Sequence, residues 1–285
     1  MPRKINKNET RKLEQIKDHY DLEKELANKL RNSDKEMRKV LYTELYDQLF
    51  QQVPEHPTVV KKNDLNLRCK HVSQQMALIK KFIIQRGNFL EIGAGSCALT
   101  LEVAKFAHKV YAVDVSNEIT KGEILPQNFR LIISDGSSIP VPKNSIDFIY
   151  SNQLMEHLHP DDAMDQLRNI YNALAPGGIY ICSTPNRLTG PHDVSRYFDN
   201  VATGFHLKEY TVTELCNLLM IVGFNEINYL AGGRGIFIRF PLSLITLFES
   251  VLIDMPFSLR TYITDLQLSK ALFGITLVAR KPKLT

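Results

Sequence analysis

The 285 residues are 44% hydrophobic and 23% charged, an ordinary globular composition that excludes a low-complexity or disordered chain. The net charge of +4 is well short of that of a dedicated nucleic-acid binder. Cys69, Cys97, Cys182 and Cys216 form no CxxC pair, so neither a zinc site nor a disulfide framework is expected, and a reducing cytoplasm fits.

The N-terminal stretch is polar and lacks the apolar core of a secretory signal. Residues 1–8 are expected to fray. Residues 9–30 favour a helix with Leu13, Ile16, Tyr20 and Leu26 as its apolar positions. A second helix is expected over 35–50, where Met37, Val40, Leu41, Leu45 and Leu49 recur at three-and-four spacing. Pro54 and Pro57 end it. Charges nearly cancel here, so this extension (1–65) is either a solvated helical face or a cover for part of a site.

A main domain is expected over 66–285. A helix at 69–85 leads to a short buried strand at 89–92. A helix at 98–106, strands at 109–113, 129–134 and 146–151, a helix at 161–174 and a strand at 179–183 follow. This alternation predicts a doubly wound α/β fold with a mostly parallel, seven-stranded sheet and helices on both faces. A polar loop then runs to about 207. Next come a helix at 213–222 and strands at 225–230 and 274–279. Residues 231–272 are too many for a bare loop and are expected to form a helical insertion before the last strand.

Residues 236–253 are the most apolar stretch, but Arg239, Pro241 and Glu249 argue against a spanning helix. Three readings of 242–253 stand open: a lid or core helix, a homodimer contact, or contact with a membrane or a lipophilic acceptor.

The sharpest motif lies in 89–116. A buried strand ends in Gly93-Ala94-Gly95, where glycine lets the backbone turn and approach a ligand. Ligands of open α/β sheets bind outside the carboxyl ends of the strands, where this loop lies. Asp114 ends the next strand, positioned to accept hydrogen bonds from two ribose hydroxyls. Gly93-x-Gly95 alone also fits a dinucleotide loop, which would make the chain a nicotinamide-dependent oxidoreductase. Against that, Glu91 would repel a pyrophosphate but suits a ligand carrying an ammonium and a sulfonium, and Cys97 stands where a third glycine is usual.

Glu91-Ile92-Gly93-Ala94-Gly95 resembles the first motif of class I methyltransferases, and Asp114, with Val115 after it, resembles the second. Ser134-Asp135-Gly136 resembles the third. Asp147 to Asn152 resembles the fourth strand and its tip, with Gln153 following. Leu154-Met155-Glu156-His157-Leu158 resembles the segment after that strand, and Leu174-Ala175-Pro176-Gly177-Gly178 the turn before the fifth. The resemblance implies a Rossmann-like domain, S-adenosylmethionine as cofactor, and Glu91, Gly93, Ala94, Gly95, Asp114, Val115, Asp135, Gly136, Asn152 and Gln153 as cofactor-binding residues. Asp135 could instead form a turn, and Asn152 could cap the next helix.

Methyl transfer from a sulfonium is an in-line displacement that rewards positioning, and a proton-bearing nucleophile also needs a base. His157, His192 and His206 are the candidate catalytic residues; His159, before Pro160, reads as a helix-entry residue. The loop after the fifth strand and the His206 region resemble ubiquinone-type O-methyltransferases. That similarity implies oxygen as acceptor atom, on a small molecule or a modified peptide or glycan. Asn186, Arg187 and Tyr197 are further candidate acceptor contacts. RNA methylation has support only from Arg3, Lys4, Lys7, Arg11 and Lys12, and no clear nucleic-acid partner is expected. A catalytically silent scaffold is the non-enzymatic alternative. No metal is expected.

Overall fold

The computed structural model describes residue 9 and residues 11–83, 86–116 and 125–283. The expected fraying of 1–8, and Arg3, Lys4 and Lys7, lie outside the described residues.

The sheet has the order β3-β2-β1-β4-β5-β8-β6-β7. β1 (Asn88–Ile92), β2 (Lys109–Asp114), β3 (Phe129–Ile133), β4 (Ile146–Asn152) and β5 (Leu174–Thr184) run parallel. β8 (Ile275–Arg280) inserts antiparallel between β5 and β6 (Glu226–Gly233). The parallel strands are short apolar runs because both faces are covered. Leu90, Ile92 and Ile149 pack into the larger core cluster, and Phe89, Phe148 and Ile181 into the one on the opposite face.

The eighth strand corrects the seven-strand expectation. β7 (Ile236–Phe240) pairs with β6 as a hairpin, inside the segment expected to be wholly helical. The run Ile-Phe-Ile-Arg-Phe is too short for its period to separate strand from helix, and Gly-Arg-Gly at 233–235 closes the hairpin. The remainder is helical: α8 (Leu242–Ile253), α9 (Phe257–Thr264) and α10 (Gln267–Phe273). Glu249 of α8 is fully buried and caps α7 (Val212–Val222), accepting from Val212 N at 2.7 Å and Thr213 N at 2.9 Å. A carboxylate suits the positive end of that helix. The other side of α8, with Leu247, Phe248 and Val251, is exposed.

The N-terminal segment forms α1 (Leu13–Asn32), α2 (Lys35–Gln52) and a short α3 (Pro57–Asn63), with Pro57 opening α3 rather than only closing α2. These helices are bonded to the sheet domain. Arg38 of α2 donates to both oxygens of Asp162 on α6 (Pro160–Ala173), at 2.6 and 2.9 Å. Tyr42 Oη donates to the same carboxylate at 2.8 Å and accepts from His159 N. Arg31 of α1 donates to the carbonyls of Thr203, Gly204 and His206. Helix α4 (Leu65–Ile79) and the six-residue α5 (Ala98–Val103) cover the other face, beside Phe89 and Phe148.

Candidate active site

A cavity of about 200 Å³ lies at the carboxyl ends of β1, β2 and β4, roofed by α2 and the start of α3. Gly93, Gly95, Asp114, Val115, Ser134, Gly136, Gln153 and Leu154 form its floor. Gly93 has φ +69°, and a Cβ there would come within 3.1 Å of Leu154. Gly95 has φ +51° and open space where a side chain would stand, the condition for close approach of a ligand to backbone. Ala94 is buried beside Cys97 and Ala112, so it shapes the loop from behind. Cys97 itself has φ +55°, a left-handed conformation that favours glycine, which accounts physically for the glycine usual at this place.

Asp114 accepts from Gly95 N at 2.7 Å and from Val115 N at 2.8 Å, tying the glycine loop to the tip of β2. Burial raises its pKa, partly offset by those N–H groups. Glu91 is buried behind the loop, where Thr100 Oγ1 donates to it. Burial pushes its carboxyl up to about 8, and the nearby Asp114 charge adds to the shift. Glu91 is not among the cavity-lining residues, so it stands one layer behind the place first expected for it. Asp135 also faces its own turn: it accepts from Ser137 N, Ser138 N and Ser138 Oγ, which hold its pKa low against the effect of burial. Asn152 ends β4 and is not among the cavity-lining residues. Gln153 lines the cavity with φ +55°, a strained conformation for a residue other than glycine.

The roof is aromatic. Tyr42, Tyr46, Phe50 and His56 line the cavity, with Phe205 from the far side. Tyr46 stacks on Phe205 with ring centroids 4.7 Å apart, and its buried hydroxyl has no hydrogen-bond partner. Among them stands Glu23 of α1, which accepts from Phe205 N at 2.8 Å and faces His19 Nε2 at 2.8 Å. Arg11 reaches His19 Nδ1 from the other side, at 2.8 Å. Burial works against the charge of Glu23, but the bond to His19 prevails and holds its pKa below the usual value.

Of the three candidate histidines, only His157 lines this cavity. Its Nδ1 lies 3.0 Å from Phe205 O, and burial, with His206 nearby, lowers its pKa to about 3. His206 packs edge-on against it, ring centroids 4.9 Å apart, with Nδ1 2.7 Å from Glu209 Oε1. Burial disfavours charge on His206, but Glu209 and Glu156 outweigh it and raise the pKa to about 9. His192 is outside the cavity: its Nε2 meets Thr189 Oγ1, and its backbone N–H donates to Glu209. Asn186 is buried and donates to Glu249, Arg187 pairs with Glu214, and Tyr197 donates to Glu9. These three hold the fold beside the site and do not line the cavity. His159 caps α6, as its place before Pro160 suggests.

The sheet, the glycine loop and the strand-end acid define a class I, S-adenosylmethionine-dependent methyltransferase fold. Residues 90–182 match the family model described as a methyltransferase domain. A Mycolicibacterium smegmatis protein described as a probable S-adenosylmethionine-dependent methyltransferase is 31% identical over 137 residues, 47% of this chain and 51% of that protein. Phosphoethanolamine N-methyltransferase 1 of Triticum aestivum is 33% identical over 97 residues, 31% of this chain and 19% of that protein. The chain thus spans about half the length, or less, of these curated relatives. Among solved structures, the complex of the Haloferax volcanii Trm112 methyltransferase activator with a methyltransferase matches at a TM-score of 0.53 and 15% identity, covering 77% of this chain and 93% of that one. Residues 90–182 therefore match a methyltransferase domain, on a fold shared with methyltransferases, and S-adenosylmethionine is the cofactor that this likeness supports. No helix among the described residues is long and apolar enough to cross a membrane.

Proposed function

We propose that this protein transfers the methyl group of S-adenosylmethionine to oxygen of a small molecule held beneath the α1–α3 roof. The observation that carries this reading is the roofed cavity itself. Gly93, Gly95 and Asp114 supply a floor for the nucleoside and amino acid portions of the cofactor, and Tyr46, Phe50, His56, Phe205 and Glu23 enclose what lies opposite. A roof anchored by Arg38 and Tyr42 favours a small acceptor over RNA or a folded peptide, and disfavours the modified peptide or glycan considered from sequence. Gly93, Gly95, Asp114, Val115, Gly136 and Gln153 remain the proposed cofactor contacts, with Ala94, Glu91 and Asp135 supporting them from behind and Asn152 ending the neighbouring strand.

In this reading the acceptor oxygen attacks the methyl carbon in line, its hydroxyl proton passes to solvent, and the carbon–sulfur electron pair stays on sulfur. The protein's contribution is alignment and exclusion of water. His157 is the imidazole positioned against the acceptor; His206 and His192 act through Glu209 and the loop around it. No disulfide joins the four cysteines among the described residues, which suits a reducing compartment and the cytoplasmic location proposed here.

A second reading places the methyl group on nitrogen. A buried carboxylate among aromatic faces is a setting that favours a cation, and one relative is described as a phosphoethanolamine N-methyltransferase. Incubation with methyl-labelled cofactor and fractionated cell extract tests both readings. The account predicts label in a small-molecule product bearing O–CH3. An N–CH3 product selects the second reading, and label confined to RNA or protein contradicts both.

A further inference from the structure

Below the cavity wall a second group of polar side chains meets. Glu156 and His157 lie on the 3-10 turn Met155–His157, and His206 lies on the loop that precedes α7. Glu156 is fully buried. Its Oε2 accepts from Thr184 Oγ1 at 2.7 Å, while its Oε1 is buried with no hydrogen-bond partner. A buried oxygen in that state lacks the partner that nearly every buried polar group finds. Lys208 N donates to Glu156 O at 3.1 Å, pinning the loop to the turn.

The two imidazoles are oriented from outside. His157 Nδ1 faces a backbone carbonyl at 3.0 Å and His206 Nδ1 faces a carboxylate at 2.7 Å. A carbonyl and a carboxylate only accept, so both rings carry a proton on Nδ1; His157 keeps its Nε2 lone pair, and the ion takes that of His206 by displacing the ring's second proton. One ligand atom from each of Glu156, His157 and His206 lies within 4.8 Å of the other two.

We propose that Glu156, His157 and His206 bind one divalent zinc or iron(II) ion. Two imidazoles and one carboxylate suit these borderline cations better than magnesium or calcium, which prefer oxygen throughout. Ligand bonds of about 2.0–2.2 Å bring donor atoms closer together than 4.8 Å, so the three side chains close onto the ion by small rotations. The carbonyl on His157, the carboxylate on His206 and the hydroxyl on Glu156 are the outer partners that fix metal ligands in place. A cation also satisfies the orphaned Glu156 oxygen.

The other cluster, His19, Glu23 and His56, lacks this logic. Arg11 donates to His19 Nδ1, which forces the ring proton onto Nε2 and leaves no lone pair facing Glu23.

Because His157 also lines the cavity, the ion adjoins the place of methyl transfer, and three protein ligands leave a coordination position open. Its catalytic part rests on the O-methylation reading. An acceptor hydroxyl held at the open position would be acidified by the ion and would lose its proton to solvent. The resulting oxyanion forms the bond to the methyl carbon, and S-adenosylhomocysteine leaves with the carbon–sulfur electron pair.

The test is metal content by mass spectrometry, with cobalt(II) titration of the chelator-stripped full-length protein. Calorimetry with S-adenosylmethionine is run on the same samples. The expected result is one zinc or iron per chain and cobalt d–d absorption saturating at one equivalent. Both are lost in Glu156→Gln and in His206→Ala, while cofactor affinity stays within threefold. Glu209→Gln, which keeps all three ligands, should weaken metal binding about 10–100-fold. Less than a tenth of an equivalent in wild-type protein that binds the cofactor, with no cobalt bands, overturns the site. So does equal metal content in wild type and variants. Metal binding without cofactor binding upholds the site and contradicts the methyl-transfer reading instead.

Discussion

Glu91 and Asp114 stand behind and beside one glycine loop, and burial raises the pKa of both. For Glu91 the consequence is a stability profile. Its folded pKa of about 8 lies above its ordinary value of 4.5, so the folded state holds a proton that the unfolded chain has released across that window. The stabilisation is fully present below pH 4.5 and is lost as pH rises through 8, at up to about 1.4 kcal/mol per pH unit. Thermal melting of Glu91→Gln should therefore decline less steeply between pH 5 and 8 than that of the wild type. Parallel curves for the two proteins would contradict a protonated Glu91. Gly136 is a second point of leverage. It has φ +93°, and a Cβ would fall 2.8 Å from the Tyr42 ring. Gly136→Ala should cost about 1–3 kcal/mol in backbone strain and weaken cofactor binding by about tenfold or more through displacement of Tyr42. Unchanged calorimetric affinity would show that Tyr42 does not press on the bound cofactor.

At the scale of elements, the roof depends on one buried ion pair. Arg38 and Asp162 are both buried, and Asp162 also accepts from Tyr42. Arg38→Ala leaves that carboxylate uncompensated and should cost about 3–5 kcal/mol. Denaturant unfolding measures it directly, and a loss below 1 kcal/mol would mean that the pair does not anchor α2. These contacts also mark what a sequence conceals. The glycine loop, the strand-end Asp114 and the alternation of strands with helices are local patterns, and they were legible. Arg38 and Asp162 are 124 residues apart, and Glu23 and Phe205 are 182 apart. Neither pairing has a local signature, so the extension could be read only as a solvated face or a cover. The polar character of α1 and α2 even disguised the cover, because Glu23, Arg38 and Tyr42 spend their polar atoms on the sheet domain. The histidines illustrate the same limit. Position after a strand drew attention to His192 and His206, yet only tertiary packing shows that Glu209 gathers both away from the cavity and that Glu156 completes a cluster with His157. Asn186 and Tyr197 were drawn toward the acceptor by their loop, but that loop is itself buried under α8 and against α1.

At the scale of the whole molecule, the parallel half of the sheet supplies the floor and the N-terminal helices close it. The antiparallel β8, β6 and β7 strands, with α8 to α10, lie toward the opposite edge from β1–β3. Glu249 nevertheless ties the insertion to α7 and to the Asn186 loop, so the 231–272 segment supports the wall of the site without lining it. The central claim is that the roofed cavity accommodates a sulfonium nucleoside. Calorimetric titration of the full-length protein with S-adenosylmethionine and S-adenosylhomocysteine, with NAD and NADP as controls, tests it most directly. The account predicts micromolar binding of the sulfonium cofactor and its product alone, lost in Asp114→Ala. Folded protein that binds neither, or that binds NAD equally well, would contradict it.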